Sequence, residues 1–86
     1  MMQVKTAVQK AIAHAKDMFA DEHVTLEEVW YDEPAKGWCV TVGLARQDGS
    51  PLLGGRTRYH YKTVRLSDDT GDVVSIRNRE NLPVSP

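Results

Sequence analysis

The stretch 58–79, RYHYKTVRLSDDTGDVVSIRNR, decides how this chain folds. Two runs rich in β-branched and aromatic residues flank a Ser-Asp-Asp-Thr-Gly-Asp cluster. Asp, Ser and Thr side chains bond their own backbone and glycine accepts φ > 0, so the cluster has the chemistry of a tight reversal and the stretch predicts a β-hairpin. Arg58, His60, Lys62 and Arg65 stand beside Tyr59 and Tyr61, and the second run ends in Arg77 and Arg79, so a basic, partly aromatic surface is expected. Tyr59 and Tyr61 have one parity, Val64 and Leu66 the other. A β-bulge or a division of labour is therefore expected near Lys62 and Thr63, with the aliphatics in the core and the tyrosines on an open face. On the last run Val74 and Ile76 are expected to face the core, opposite Val73, Ser75 and Arg77.

Working outward, Trp38, Val40, Val42 and Leu44 alternate with Cys39, Thr41, Gly43 and Ala45. This is the period-two pattern of a strand over 38–46 whose second face is made of small residues, suited to being crossed closely or to lining a shallow groove. Residues 32–37 contain Pro34 and Gly37 and read as a turn; before them 24–31, VTLEEVWY, reads as a first strand whose alternation breaks at Glu27 and Glu28. Between the second and third strands, 47–55 (QDGSPLLGG) reads as a flexible connection, with Leu52 and Leu53 either tucked over the core or exposed as an apolar contact.

At the start of the chain Val4, Val8, Ala11, Ile12, Ala15 and Phe19 recur every three or four residues, with Ala7 and Met18 widening the stripe. This predicts an amphipathic helix over about 3–20 whose alanines let it lie close to a sheet, with Phe19 and Met18 plugging the wide end. One helix and four strands imply an α+β fold of the cystatin-like type: an N-terminal helix on a curled four-stranded antiparallel meander, one domain over 1–79, with 80–86 as a flexible tail. A single helix covers one side of such a sheet. The other side is left to Trp30 or Trp38, Tyr59 and Tyr61, which makes dimerisation or ligand contact through the sheet the expected use of that face.

Eighty-six residues suffice for one modest core. With 11 basic and 12 acidic residues the net charge is -1, which argues against a protein that coats nucleic acid. The charge is nonetheless segregated: 17–33 holds seven acidic residues and no Lys or Arg, whereas 56–65 holds four basic residues and no acid. Solvated faces that merely differ in sign are the plain reading; self-association between opposite faces, or steering of a charged partner, is the sharper one. No apolar run approaches a membrane span, no secretory signal is visible, and the lone Cys39 makes no internal disulfide, so a cytoplasmic protein without membrane contact is expected.

The pattern Tyr61, Val64, Leu66, Asp69, Thr70-Gly71, Val73-Val74 after an alanine-rich helix (Ala7, Ala11, Ala15) resembles the PepSY family of small helix-plus-sheet domains. That resemblance implies a non-catalytic binding or inhibitory module associated with peptidases. A second resemblance, carried by Gly37-Trp38-x-Val40-x-Val42, Arg46, Pro51, Tyr59, Tyr61, Leu66, Gly71, Arg77 and Arg79, is to the gas vesicle protein O family, accessory proteins of gas vesicle assembly.

The chemistry-bearing residues form no catalytic or metal motif. Cys39 and His60 could act as nucleophile and base only if the fold joined them, and no third orienting group is indicated. His14, His23 and His60 lack ligand spacing, while Asp68, Asp69 and Asp72 sit in a segment too short for a calcium loop. The 54–58 stretch, GGRTR, has glycines and guanidiniums for a phosphate but no Lys-Ser/Thr of a nucleotide site. The expectation is a non-enzymatic module, without cofactor or metal, that binds a protein partner or itself through Arg58, Tyr59, Tyr61, Lys62, Arg77 and Arg79. Nucleic-acid binding by the same basic aromatic hairpin is the second reading. A small-ligand binder or enzyme in the concavity between helix and sheet is the third.

Overall fold

The structure, a computed structural model, describes residues 2–20, 22–48 and 56–79, the side chains of 47, 48 and 56–58 excepted. Helix α1 (Val4–Met18) precedes β1 (His23–Asp32), β2 (Gly37–Asp48), β3 (Arg56–Ser67) and β4 (Val73–Asn78). The strands form one antiparallel sheet in the order β1-β2-β3-β4. This is the expected α+β meander. The β2 strand reaches two residues into the predicted 47–55 connection, with Gln47 paired to Thr57 and Asp48 to Arg56. Leu52, Leu53 and the 80–86 tail lie outside the described residues.

Every second residue of β2 faces the helix, and Val40, Val42 and Leu44 are completely or almost completely buried, with Val64 and Leu66 of β3 beside them. Each such aliphatic contributes about 1.5–3 kcal/mol relative to exposure. The helix meets them with Ala7, Ala11 and Ala15, all at 0% exposure and spaced by four, so a spine of methyl groups lets it sit close to the sheet. Val4 and Met18 fall on the flanks and are exposed; Phe19 closes the end of the core. Met18 therefore does not join Phe19 as a plug.

The β2–β3 ladder runs without a shift from Gly37↔Ser67 to Asp48↔Arg56. No bulge interrupts Lys62 and Thr63: plain alternation puts Val64 and Leu66 under the helix and Tyr59 and Tyr61 on the open face. The bulges lie in the outer strands instead. In β1 the register shifts between Leu26 and Glu28, so Glu28 opposes Thr41 and Val29 opposes Val40, which accounts for the adjacent glutamates that broke the sequence pattern. In β4 Leu66 pairs with Val73 and Arg65 with Ser75, leaving Val74 as the extra residue. Val73 thereby packs on the core and Val74 is 68% exposed, reversing the assignment that strict alternation predicts.

The ends of the domain are tied by one carboxylate. Asp68 accepts the Met2 backbone N–H (2.7 Å) and the Tyr31 hydroxyl (3.0 Å), while the Trp38 indole N–H donates to the Met2 carbonyl (3.0 Å). A residue legible only as a turn former thus joins the start of α1 to two hairpins. The β3–β4 turn is closed by Gly71 N–H donating to the Ser67 carbonyl, with Gly71 at φ 73, which an L side chain rarely adopts.

Gly37 tests the closeness of the central pair. A Cβ added there lands against the backbone carbonyl oxygen of Leu66, and backbone cannot swing aside. Gly37→Ala is expected to destabilise the protein by about 1–3 kcal/mol, read as a lowered urea midpoint; a midpoint equal to the wild type would show that β2 and β3 are not this close.

Candidate functional site

On the face away from the helix, the residues line up in rows across the four strands. One row is Trp30, Cys39, Arg65, Ser75; the next is Glu28, Thr41, Thr63, Arg77. Arg79 continues the last strand, its backbone N–H donating to the Tyr61 carbonyl at 2.8 Å. Because β2 contributes only Cys39, Thr41, Gly43 and Ala45 here, long side chains from the outer strands can cross it. Arg79 does so: its Nε donates to Glu28 Oε1 at 3.2 Å, joining β4 to β1. Arg65 crosses in the same way to Asp32, Nη2 to Oδ2 at 2.6 Å. Half-exposed pairs of this kind are worth about 1 kcal/mol or less, so their consequence is positional.

Between these two crossings lies a groove of about 440 Å³, floored by Cys39 and Thr63 and walled by Trp30 on β1 and Arg77 on β4. Trp30 is 40% exposed. Among the described residues Arg77 has no carboxylate partner, so the groove holds three guanidiniums against the two carboxylates of Glu28 and Asp32.

The floor has a direction. Thr41, fully buried, donates its hydroxyl to Glu28 Oε1 (3.1 Å), because a carboxylate only accepts. The Thr41–Thr63 contact at 2.9 Å must then be donated by Thr63, whose oxygen keeps its remaining acceptor capacity for the groove. Glu28 Oε1 takes both Thr41 and Arg79, and among the described residues no hydrogen bond reaches Oε2.

Of the residues the sequence singled out, the structure brings Tyr61, Arg77 and Arg79 to this face, with Tyr59 beyond them at 64% exposure. Lys62 is a correction. It pairs with Val42 and Asn78 on the helix side, its ammonium 5.7 Å from the centre of the Phe19 ring and bonded to the Asn78 side chain. One position along a strand reverses the face. Arg58 is placed by backbone pairing with Arg46, and its side chain lies outside the described residues. Of the two tryptophans offered for the open face, Trp30 stands there and Trp38 packs on the core. Sequence reasoning omits Glu28, Thr63 and Arg65 from the contacts; counting by twos from Tyr61 finds Thr63 and Arg65, but Glu28 depends on the β1 bulge.

Cys39 and His60 stand on opposite faces, opposite Arg65 and Leu44 respectively, so they form no nucleophile–base pair. Burial pushes the Cys39 thiol up; Arg65 opposes this and Asp32 adds to it. Among the described residues no three His, Cys, Asp or Glu side chains converge to hold a metal ion, and no helix is long and apolar enough to cross a membrane. Comparison with protein families, characterised proteins and solved structures yields no match.

The raised thiol has a consequence for stability. The folded state holds that proton more tightly than the unfolded chain, so the contribution is intact below the ordinary thiol value, about 8.5, and is lost as pH rises past it through the folded value. The urea midpoint is expected to fall from pH 8 to pH 10, and Cys39→Ala to fall less steeply; identical slopes would assign the loss to other groups.

Proposed function

We propose that the chain is a non-catalytic interaction module that docks a protein on the open face of its sheet. The observation that carries this reading is the groove itself: an exposed indole and an uncompensated guanidinium facing each other across a rigid, hydrogen-bonded floor. Trp, Tyr and Arg are the residue types that dominate binding energy at protein interfaces, because they bury large areas at low conformational cost. Trp30, Tyr59, Tyr61, Arg65, Arg77 and Arg79 are the contacts in this reading. The module reading agrees with the binding or inhibitory role that the PepSY resemblance implies.

Nucleic acid is the poorer fit for this surface. Glu28 and Asp32 stand among the guanidiniums, and Lys62 faces the other way. A phosphate backbone would meet carboxylates where it needs cations.

Replacing Trp30 and Tyr61 together by Ala is expected to weaken association at least tenfold, measured by pull-down on the immobilised chain, with an unchanged far-ultraviolet CD spectrum. Association at wild-type strength in that variant would reject the open face as the docking surface, and binding of single-stranded nucleic acid with a steep fall in salt would replace it with the second reading.

A further inference from the structure

We propose that the partner on this face is a second copy of the chain, packed sheet to sheet about a twofold axis running parallel to the strands between β2 and β3. The proposal rests on the reading of the open face as a docking surface and names its occupant. Such an axis lays β1 of one copy over β4 of the other, and β2 over β3. It preserves position along the strands, so each row meets the same row reversed.

Under that operation the face is complementary to itself. In the row Glu28, Thr41, Thr63, Arg77, the glutamate at one edge meets the arginine at the other. Glu28 Oε2 and the Arg77 guanidinium, both without a described partner within the chain, are brought together twice by symmetry. In the row Trp30, Cys39, Arg65, Ser75, the largest side chain meets the smallest: Trp30 of each copy lies over Ser75 of the other, beside the Arg77 wall of its groove, where an indole face attracts a guanidinium. Tyr59 of one copy covers Ala45 of the other, since those two positions are paired across β2 and β3.

Other twofold axes lose this match. An axis in the interface but perpendicular to the strands sets β1 on β1 and β4 on β4, so that Glu28 never meets Arg77, and an axis normal to the sheet pairs edges without covering the groove. Aligned sheets cross at about 30°, which displaces the edge strands by roughly one residue, within the reach of an arginine. Strands about 4.8 Å apart and averaging about 30 Å in length make a face of roughly 600 Å² per copy. The total of roughly 1,200 Å² reaches the lower end of stable interfaces.

Sedimentation equilibrium of the purified full chain is expected to give twice the 9.7 kDa chain mass at tens of micromolar. Arg77→Glu, at an exposed position with no described bond, is expected to weaken the dimer at least tenfold without altering the CD spectrum. In a Cys39→Ser background, chains carrying Ala45→Cys and chains carrying Tyr59→Cys are expected to form disulfide-linked dimers when mixed and oxidised, and neither alone. A monomer at 100 µM, an unaffected Arg77→Glu dimer, or equal cross-linking of either variant with itself would overturn the proposal. If the purified chain is monomeric yet captures another protein in a manner lost with Trp30 and Tyr61, the second copy is excluded and the docking face stands. If it neither dimerises nor captures anything, both readings fail.

Discussion

The long pairing of β2 with β3 is the constraint on which the rest of this protein depends. Its register seats Val40, Val42 and Leu44 beside Val64 and Leu66, and the same alternation sends Cys39, Thr41, Gly43 and Ala45 to the other side with Tyr59, Tyr61, Thr63 and Arg65. A slip of one residue would turn the aliphatics to water and bury two tyrosines and an arginine under the helix. Core and site are therefore two consequences of one register. The alanine spine of α1 depends on it as well, because a helix approaching on methyl groups requires an apolar surface beneath every turn.

The outer strands use the freedom that the central pair lacks. Each carries a bulge, and each bulge decides which residues reach the open face. In β1 the extra residue lets Glu27 and Glu28 share that side, with Glu27 bonded to the Thr25 hydroxyl at 2.9 Å and lying over Gly43, while Leu26 and Val29 both keep the helix side. In β4 the extra residue is Val74, which sets Val73 and Ile76 toward the core and restores Ser75 and Arg77 to the open face. Glu28 and Arg77 therefore end at opposite edges of one row, with two threonine hydroxyls between them whose proton direction is dictated by the carboxylate.

Small residues at the centre and long charged residues at the margins produce a particular surface. Arg65 and Arg79 cross the sheet because β2 offers no side chain tall enough to stop them, and the two ion pairs they make bound the groove instead of filling it. The guanidinium left over among the described residues, Arg77, and the indole opposite it are the groups on which the proposed docking rests. Segregation of charge along the chain, acidic in β1 and the segment before it, basic in β3 and β4, becomes segregation across a surface once the strands lie side by side.

The sequence by itself determined the helix, the four strands, the reversals after β1 and after β3, and the face of β2 and β3 that enters the core, because those depend on periodicity and on residues such as Gly71 and Asp68 acting within a few positions. It placed Tyr59, Tyr61, Arg77 and Arg79 correctly on the uncovered side for the same reason. Only the tertiary structure decided that Val73 rather than Val74 packs inward, that Lys62 covers Phe19, that Trp30 rather than Trp38 takes the open face, and that Glu28 stands beside it. Bulges are settled by what the neighbouring strand and the core will accept, and Arg79 finds Glu28 fifty-one residues away in the chain. No local pattern of residue types carries information over that distance.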